Sequence, residues 1–284
     1  MLQEKKVDSI FLLLYLISLC LTSLWATQLN AHEMWIEPIK YQVNKNDTIY
    51  AHEKVGEDFK GNQYSYLNTS YEKLELTVNN KTRSVKSRIG DMPAIHERAK
   101  EEGLTILSAV TTISDVKYKK WEKFENFIKS KKLDWVLKKH KKRGLPENNI
   151  IEAYRRFSKA FVKVGEGKGA DKLLGMRLEW LIETNPYDAS QIIDTGAVKA
   201  RLLWEGKPYK HAHVTVFNKI ENKMIQTDLL TNKNGVVNIP IKKGGEFLIN
   251  AVQMLEPSAK IKKETGAVWE SLWASITYNI QIAE

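Results

Sequence analysis

The chain has 284 residues, of which 43% are hydrophobic and 27% are charged. Length and composition are those of a globular protein with one large or two ordinary domains, and they exclude an intrinsically disordered chain. The formal net charge of +10 favours anionic neighbours such as lipid headgroups or envelope polymers, but it does not select a fold.

Residues 1–31 have the features of a secretory signal peptide. A short charged start precedes the apolar run from Ile10 to Leu24 and the less apolar stretch from Ala26 to Ala31. The run is shorter than the ~20 residues of a stable transmembrane helix, so an uncleaved anchor is the second interpretation. We expect cleavage after Ala31, with cleavage after Ala26 as the competitor. The mature protein would then be periplasmic, and nucleic acid would not be its partner.

Period-two alternation of apolar residues continues from Trp35 to about Val85, with turns rich in Asn, Asp and Gly between the runs. This pattern predicts antiparallel strands. The stretch from Leu104 to Val110 predicts a further strand.

Helical spacing replaces the alternation over residues 117–163. The first predicted helix carries Trp121 and Ile128 on one face, and the second runs from Leu133 to His140. A third is predicted from Pro146 through Val162. Lysines crowd residues 117–143, and we interpret them as the solvated faces of amphipathic helices.

The β pattern resumes near Gly196 and includes a predicted strand from His211 to Phe217. Short strands joined by Gly and Asn turns predict a β-sandwich of immunoglobulin or transthyretin type. The fold class is therefore mainly β with a helical insertion. The predicted organisation is a signal peptide (1–31), an N-terminal β domain (32–190) with a helical segment (117–163), and a C-terminal β-sandwich (191–284).

His32 is the first candidate for a metal ligand. If cleavage follows Ala31, the α-amino group and the imidazole of His32 can close a chelate ring on one divalent ion. The α-amino group titrates near pH 7.7 in model compounds, so a metal can displace its proton at neutral pH. The plain alternative is an ordinary polar residue at a frayed terminus.

Three further histidines are candidate ligands. His211 and His213 are two residues apart in a predicted strand, which would place both imidazoles on one face. Imidazole is a good ligand for nickel, copper and zinc. His52 could meet His32 if the first strands pair as neighbours. His140, by contrast, is interpreted as a cation near a helix C-terminus.

Aromatic residues are dense near the C-terminus, between Trp269 and Tyr278. Such density is typical of a core or a seam between domains, so packing is the expected role. A surface that stacks on carbohydrate is the alternative.

Several short motifs resemble a poorly characterised bacterial family described as the periplasmic component of a cobalt or nickel uptake system. They are His32 to Pro38, Tyr154 to Gly165, Gly206 to Pro208, Ala251 to Met254, and Trp269 to Ser275. The resemblance implies a periplasmic, non-enzymatic protein linked to uptake of a transition metal. In that family a histidine often precedes the methionine where this chain has Gln253.

The leading expectation is a protein that binds nickel or cobalt through His32, with His52 or the His211/His213 pair completing the shell, and delivers the ion to an inner-membrane transporter. One alternative is a copper-dependent oxidative enzyme that uses an N-terminal histidine, as lytic polysaccharide monooxygenases do. Another is a structural or partner-binding β module without a metal.

Overall fold

The computed structural model describes residues 32–221 and 223–281. The predicted signal peptide, residues 1–31, lies outside this part of the chain. Within the described residues, no helix is long and apolar enough to cross a membrane. The described residues belong to one compact unit.

Strand is the main element, as the sequence predicts. In the first half of the chain the strands are β1 (Glu33–Pro38), β2 (Gln42–Val43), β3 (Thr48–Glu57), β4 (Lys60–Tyr64), β5 (Tyr71–Val78), β6 (Lys81–Ser84), β7 (Ile95–Arg98), β8 (Gly103–Thr111), β9 (Ser114–Lys120) and β10 (Asn148–Val164). In the second half they are β11 (Leu178–Ile182), β12 (Ala197–Trp204), β13 (Lys207–Pro208), β14 (His213–Ile220), β15 (Lys223–Leu230), β16 (Val236–Pro240), β17 (Gly245–Leu255) and β18 (Trp269–Ile280). The helices are α1 (Trp121–Ser130), α2 (Trp135–Lys142), α3 (Ala189–Ile193) and α4 (Ala259–Thr265), with a 3-10 turn at Asn68–Ser70.

A ten-stranded sheet forms the middle layer. Its main path runs β15-β14-β17-β18-β10-β8-β5-β6, and β2 and β9 also pair with β10. The pairing of β10 with β18 is parallel and places Arg156 beside Trp273. The β17 and β18 pair is antiparallel and places Val252 beside Trp273. Neighbours in register point to the same face, so these three side chains share one face of the sheet.

The prediction of a third helix from Pro146 to Val162 is wrong, because this segment is the 17-residue strand β10. Its C-terminal part is buried almost continuously, from Phe157 to Val162. A strand covered on both faces loses the period of two, and its apolar residues then also fit helical spacing. Pairing with β18 on one side and with β8 and β9 on the other decides the conformation.

The first two predicted helices are confirmed. α1 buries Phe124, Phe127 and Ile128, and α2 buries Val136. This apolar stripe packs on Trp273 and its neighbours in the middle sheet, which is why the spacing was visible in the sequence. The helical segment is residues 121–142 rather than 117–163, since Ser114–Lys120 is a strand that pairs with β10.

The two faces of the middle sheet are covered differently. One face packs on the sheet of β11, β12, β13 and β16 through a shared apolar core that includes Trp180, Leu202, Ile249 and Ala274. These two sheets form a β-sandwich, as predicted. The other face carries α1, α2 and β1, the first strand of a second four-stranded sheet made with β3, β4 and β7.

The middle sheet crosses the predicted domain boundary at residue 190. β10 comes from the predicted N-terminal domain and β18 from the predicted C-terminal sandwich, yet they are hydrogen-bonded neighbours over nine residue pairs. The division into two domains stays a prediction, and it does not coincide with a division between sheets.

Candidate metal centre

Hydroxyl groups of the middle sheet hold the backbone of β1. Ser275 Oγ donates to the carbonyl oxygen of Met34 at 2.6 Å, and Thr277 Oγ1 donates to that of Ile36 at 2.5 Å. Ser158 Oγ accepts from the N–H of Ile36 at 3.1 Å. All three hydroxyls are buried. These bonds hold β1 on the sheet. They therefore also fix the position of His32, the residue that precedes β1.

His32 has its own anchor. Its carbonyl oxygen accepts hydrogen bonds from Nε and Nη2 of Arg156, at 3.2 and 3.0 Å. The guanidinium carbon of Arg156 lies 4.4 Å from the centre of the Tyr154 ring, which limits its freedom to turn away. The first described residue is therefore tied to β10.

The imidazole of His32 faces a carboxylate. Its Nδ1 lies 3.2 Å from Oε1 of Glu57, the last residue of β3. The pair lacks hydrogen-bond geometry, and Nδ1 has no hydrogen-bond partner among the described residues. Ligand nitrogen and oxygen atoms lie about 2.0–2.2 Å from an ion such as Zn²⁺, so two adjacent ligands are roughly 3 Å apart. The observed spacing fits two ligands of one ion.

The carboxylate of Glu33, the next residue, cannot join His32 and Glu57 because it is already paired with a cation. Its side chain is buried, and its Oε1 contacts the ammonium group of Lys131. That ammonium group also lies 5.1 Å from the centre of the Trp273 ring. A carboxylate neutralised in this way serves to position β1 against the end of α1.

A second acid lies on β3 near Arg156. Burial raises the pKa of Glu53 to about 7, and the positive charge of Arg156 only partly opposes the shift. Glu53 therefore changes its charge near neutral pH, close to the residue that holds His32.

His52 is not brought to His32. It lies opposite Glu37 at the far end of β1, five residues before Glu57 along β3. Five residues of a strand span about 16 Å, which exceeds what two imidazoles can bridge through one ion. Burial lowers the pKa of His52, an effect that Lys54 reinforces and Glu37 opposes.

The predicted pair of His211 and His213 does not share a strand. His211 is an exposed turn residue with a φ of 55°, and β14 begins only at His213. The predicted start of this strand was wrong by two residues. The alternation that would align the two side chains holds only within a strand, so it does not apply to this pair. Nε2 of His213 lies 3.4 Å from Oδ1 of Asp228. Burial lowers the pKa of His213, although Asp228 opposes the shift.

His213 lies on the same face of the middle sheet as β1 but at a distance from it. Its neighbour on that face, Thr215, is in register with Asn250, and Asn250 is in register with Ser275 beneath Met34. β14 is three strand positions from β10, or about 14 Å. Within residues 32–221 and 223–281, no three His, Cys, Asp or Glu side chains gather as a metal site.

The interpretation of His140 as a cation at a helix end is wrong. The side chain is buried, its Nδ1 accepts from the indole N–H of Trp269 at 3.0 Å, and its Nε2 lies 3.1 Å from the carbonyl oxygen of Pro146. Burial lowers the pKa of His140, the hydrogen bond to Pro146 opposing it. His140 is a neutral core residue.

The aromatic C-terminus packs inside the protein, as expected. Trp269, Trp273 and Tyr278 are each at most 2% exposed. They do not form a surface for stacking on carbohydrate, which removes the aromatic support for the copper-enzyme alternative.

Sequence reasoning did not identify Glu57 or Arg156. Neither lies in a metal-ligand motif, and each reaches His32 only through the strand register. The turn signals around residues 58–61 indicate a hairpin, but they do not say which carboxylate would face the start of β1.

Fold and site together define a mainly β protein whose first described residue is a histidine held beside a carboxylate. The model of the family described as "Domain of unknown function (DUF4198)" matches residues 29–254. The chain belongs to this family. No curated protein matches the chain.

One similar solved structure is described as "Crystal structure of tetra-tandem repeat in extending region of large adhesion protein". It is 9% identical, the alignment covers 89% of this chain and 50% of that one, and the TM-score is 0.22. The chain thus spans half the length of that structure.

Proposed function

We propose that this protein is an exported binding protein for a divalent transition-metal ion, nickel or cobalt, which it delivers to a membrane transporter. The observation that carries the proposal is the 3.2 Å approach of His32 Nδ1 to Glu57 Oε1 at the first described residue.

Signal cleavage after Ala31 would complete the donor set. It converts the backbone nitrogen of His32 from an amide into a primary amine with a free lone pair. The amine and Nδ1 then close a chelate ring, and Glu57 adds a carboxylate oxygen. Nitrogen-rich sets with one carboxylate suit borderline divalent ions, with affinity rising from Co²⁺ through Ni²⁺ to Cu²⁺.

The surroundings favour the metal-bound form. The side chains of His32 and Glu57 are about one-third and one-half exposed, so the pair lies at the protein surface, although Nδ1 of His32 itself is covered. Arg156 holds the His32 carbonyl and thereby limits the freedom of the new N-terminus. His52, His211 and His213 lie outside this donor set, and water or a transporter group would fill the remaining positions.

The first experiment compares two N-termini. One form begins at His32 and the other retains Ala31 in front of it, so the two differ by a single residue and by the position of the amine. Calorimetric titration with nickel, cobalt and copper should give binding tighter than about millimolar, worth ~4 kcal/mol, for the first form. The second form should bind at least about tenfold more weakly, because the chelate ring cannot form. Equal affinities, or no binding by either form, would refute the proposal.

Side-chain variants test the same site. In the form that begins at His32, His32→Ala should abolish tight binding. The control is His96→Ala, which removes a histidine of β7 that is paired with Asp91, and it should leave metal binding unchanged. Glu57→Gln should weaken binding about tenfold, with Glu122→Gln on the exposed side of α1 as its matched control. An unchanged affinity in Glu57→Gln would show that the carboxylate is not a ligand.

A further inference from the structure

Positive charge is concentrated in one short part of the chain. Residues 117–143 contain twelve Lys and Arg residues and three acidic ones, against a net charge of +10 for the whole protein. In the structure this part comprises the end of β9 and the helices α1 and α2. Residues 121–143, which include the two helices that cover one face of the middle sheet, carry a net charge of +6, and the three lysines at the end of β9 belong to the sheet itself.

Helix α2 presents a defined outer face. Trp135, Lys138, Lys139 and Lys142 follow one another at helical spacing, and all four are exposed. The opposite side is buried through Val136 and His140. Trp135 is 42% exposed, while one side of its ring meets Trp269 edge-on with the ring centres 6.1 Å apart.

Two of these lysines form no ion pair within the described part of the chain. Lys139 pairs with Glu256 at 2.7 Å. For Lys138 and Lys142, no ion pair with any described carboxylate is formed, so their charges face solvent uncompensated. The face thus combines an exposed indole with free ammonium groups.

We propose that this outer face of α2 docks on the surface of an anionic phospholipid bilayer. Tryptophan prefers the headgroup level of a membrane, where its ring is buried and its N–H stays hydrated. Free lysines beside it are attracted to anionic lipids, so the face combines a polybasic surface with one aromatic anchor. The inference depends on charge and exposure and does not depend on the metal site.

Vesicle sedimentation tests the docking. The full mature chain is mixed with vesicles of phosphatidylcholine alone or with about one-third phosphatidylglycerol. Binding should require the anionic lipid and should fall steeply with added salt, because the Debye length shrinks from ~10 Å at 0.1 M to ~3 Å at 1 M. Failure to bind anionic vesicles, or equal binding to both kinds, would overturn the proposal, and an acidic protein partner would then be the better occupant.

A matched pair of double variants locates the contact. Lys138→Gln/Lys142→Gln should weaken partitioning at least about tenfold, since each lysine near an anionic surface contributes roughly a factor of five. Lys207→Gln/Lys210→Gln removes the same charge from exposed positions in and next to β13, in the layer on the other side of the middle sheet, and should have little effect. Equal losses in both would mean that net charge alone, not this face, causes binding.

Brominated lipids report whether Trp135 enters the headgroup region. They should quench part of the tryptophan fluorescence of the parent protein but a clearly smaller part in Trp135→Phe. A soluble polyanion such as heparin can bind the lysines without this quenching. Quenching that is identical in parent and variant would refute the role of Trp135.

Discussion

The guanidinium group of Arg156 donates two hydrogen bonds to the carbonyl oxygen of His32, at 3.2 and 3.0 Å. His32 precedes the ladder that joins β1 to β3, which begins at Glu33. Arg156 is therefore the main contact that orients the backbone of the proposed metal ligand, and it does so without being a ligand itself.

Replacing Arg156 by lysine should weaken metal binding while leaving the fold intact. Lysine keeps the charge but loses the planar pair of donors, so a contribution of about 1 kcal/mol is lost, or roughly fivefold in affinity. Titration with nickel or cobalt measures the change. Arg155→Lys is the control, because the neighbouring Arg155 pairs with Glu72 instead. If both variants bind the metal as the parent does, Arg156 does not position the site.

Sequence patterns predicted local structure better than long-range pairing. The hairpin turns and the helices α1 and α2 follow from spacing over a few residues. The apolar spacing of β10 predicts a helix, but its strand conformation depends on pairing with distant segments, Ser114 to Lys120 and Trp269 to Thr277. The same limit applies to the site. His32 is visible as a residue next to a cleavage signal, but Arg156 reaches it across 124 positions of the chain.

Glu53 should make stability depend on pH. Its pKa rises from 4.5 in the unfolded chain to about 7 in the folded one because the carboxyl is buried. Below about pH 4.5 the Glu53 carboxyl is protonated in both the folded and the unfolded chain, so its burial does not lower the free energy of unfolding through ionisation. As pH rises from 4.5 to 7 the unfolded state ionises first, so the fold loses up to about 3 kcal/mol, an upper value for a group that is not fully buried.

Urea unfolding of Glu53→Gln measures this cost. The difference in unfolding free energy between variant and parent should shift in favour of the variant by up to ~3 kcal/mol between pH 4.5 and pH 8. Glu122→Gln, on exposed α1 surface, should show no such shift. Parallel pH profiles for parent and Glu53→Gln would contradict the assignment.

Lys159 forms a buried ion cluster that supports the loop after β10. Its ammonium group lies 3.2 Å from Asp171 and 2.9 Å from Glu179, and it donates to the carbonyl oxygens of Lys172 and Trp180. Burial raises the pKa of Asp171, and Lys159 opposes this shift. Lys159→Met should cost about 3–5 kcal/mol, since two buried carboxylates lose their cation.

An exposed pair provides the comparison. Lys199 lies 2.8 Å from Glu183 with half of its side chain in solvent, so Lys199→Met should cost at most about 1 kcal/mol. Both values come from denaturant unfolding of otherwise identical proteins. A cost below ~1 kcal/mol for Lys159→Met would mean that the cluster does not stabilise the fold.

His140 joins α2 to β18 as a neutral hydrogen-bond bridge. The indole of Trp269 can only donate, so Nδ1 accepts and the ring proton lies on Nε2, which donates to Pro146. His140→Phe fills a similar volume but leaves the buried indole N–H of Trp269 unpaired, which costs about 1–3 kcal/mol, whereas the carbonyl of the exposed residue Pro146 can bond to water. The free energy of unfolding should therefore fall by about 1–3 kcal/mol, and it should change little for His96→Phe on β7. Because burial lowers the pKa of His140, its ring nitrogens should also keep the Nε2-protonated NMR pattern from neutral pH to below the usual histidine range. A ring that titrates as an exposed histidine does would show that Trp269 and His140 are not hydrogen-bonded in solution.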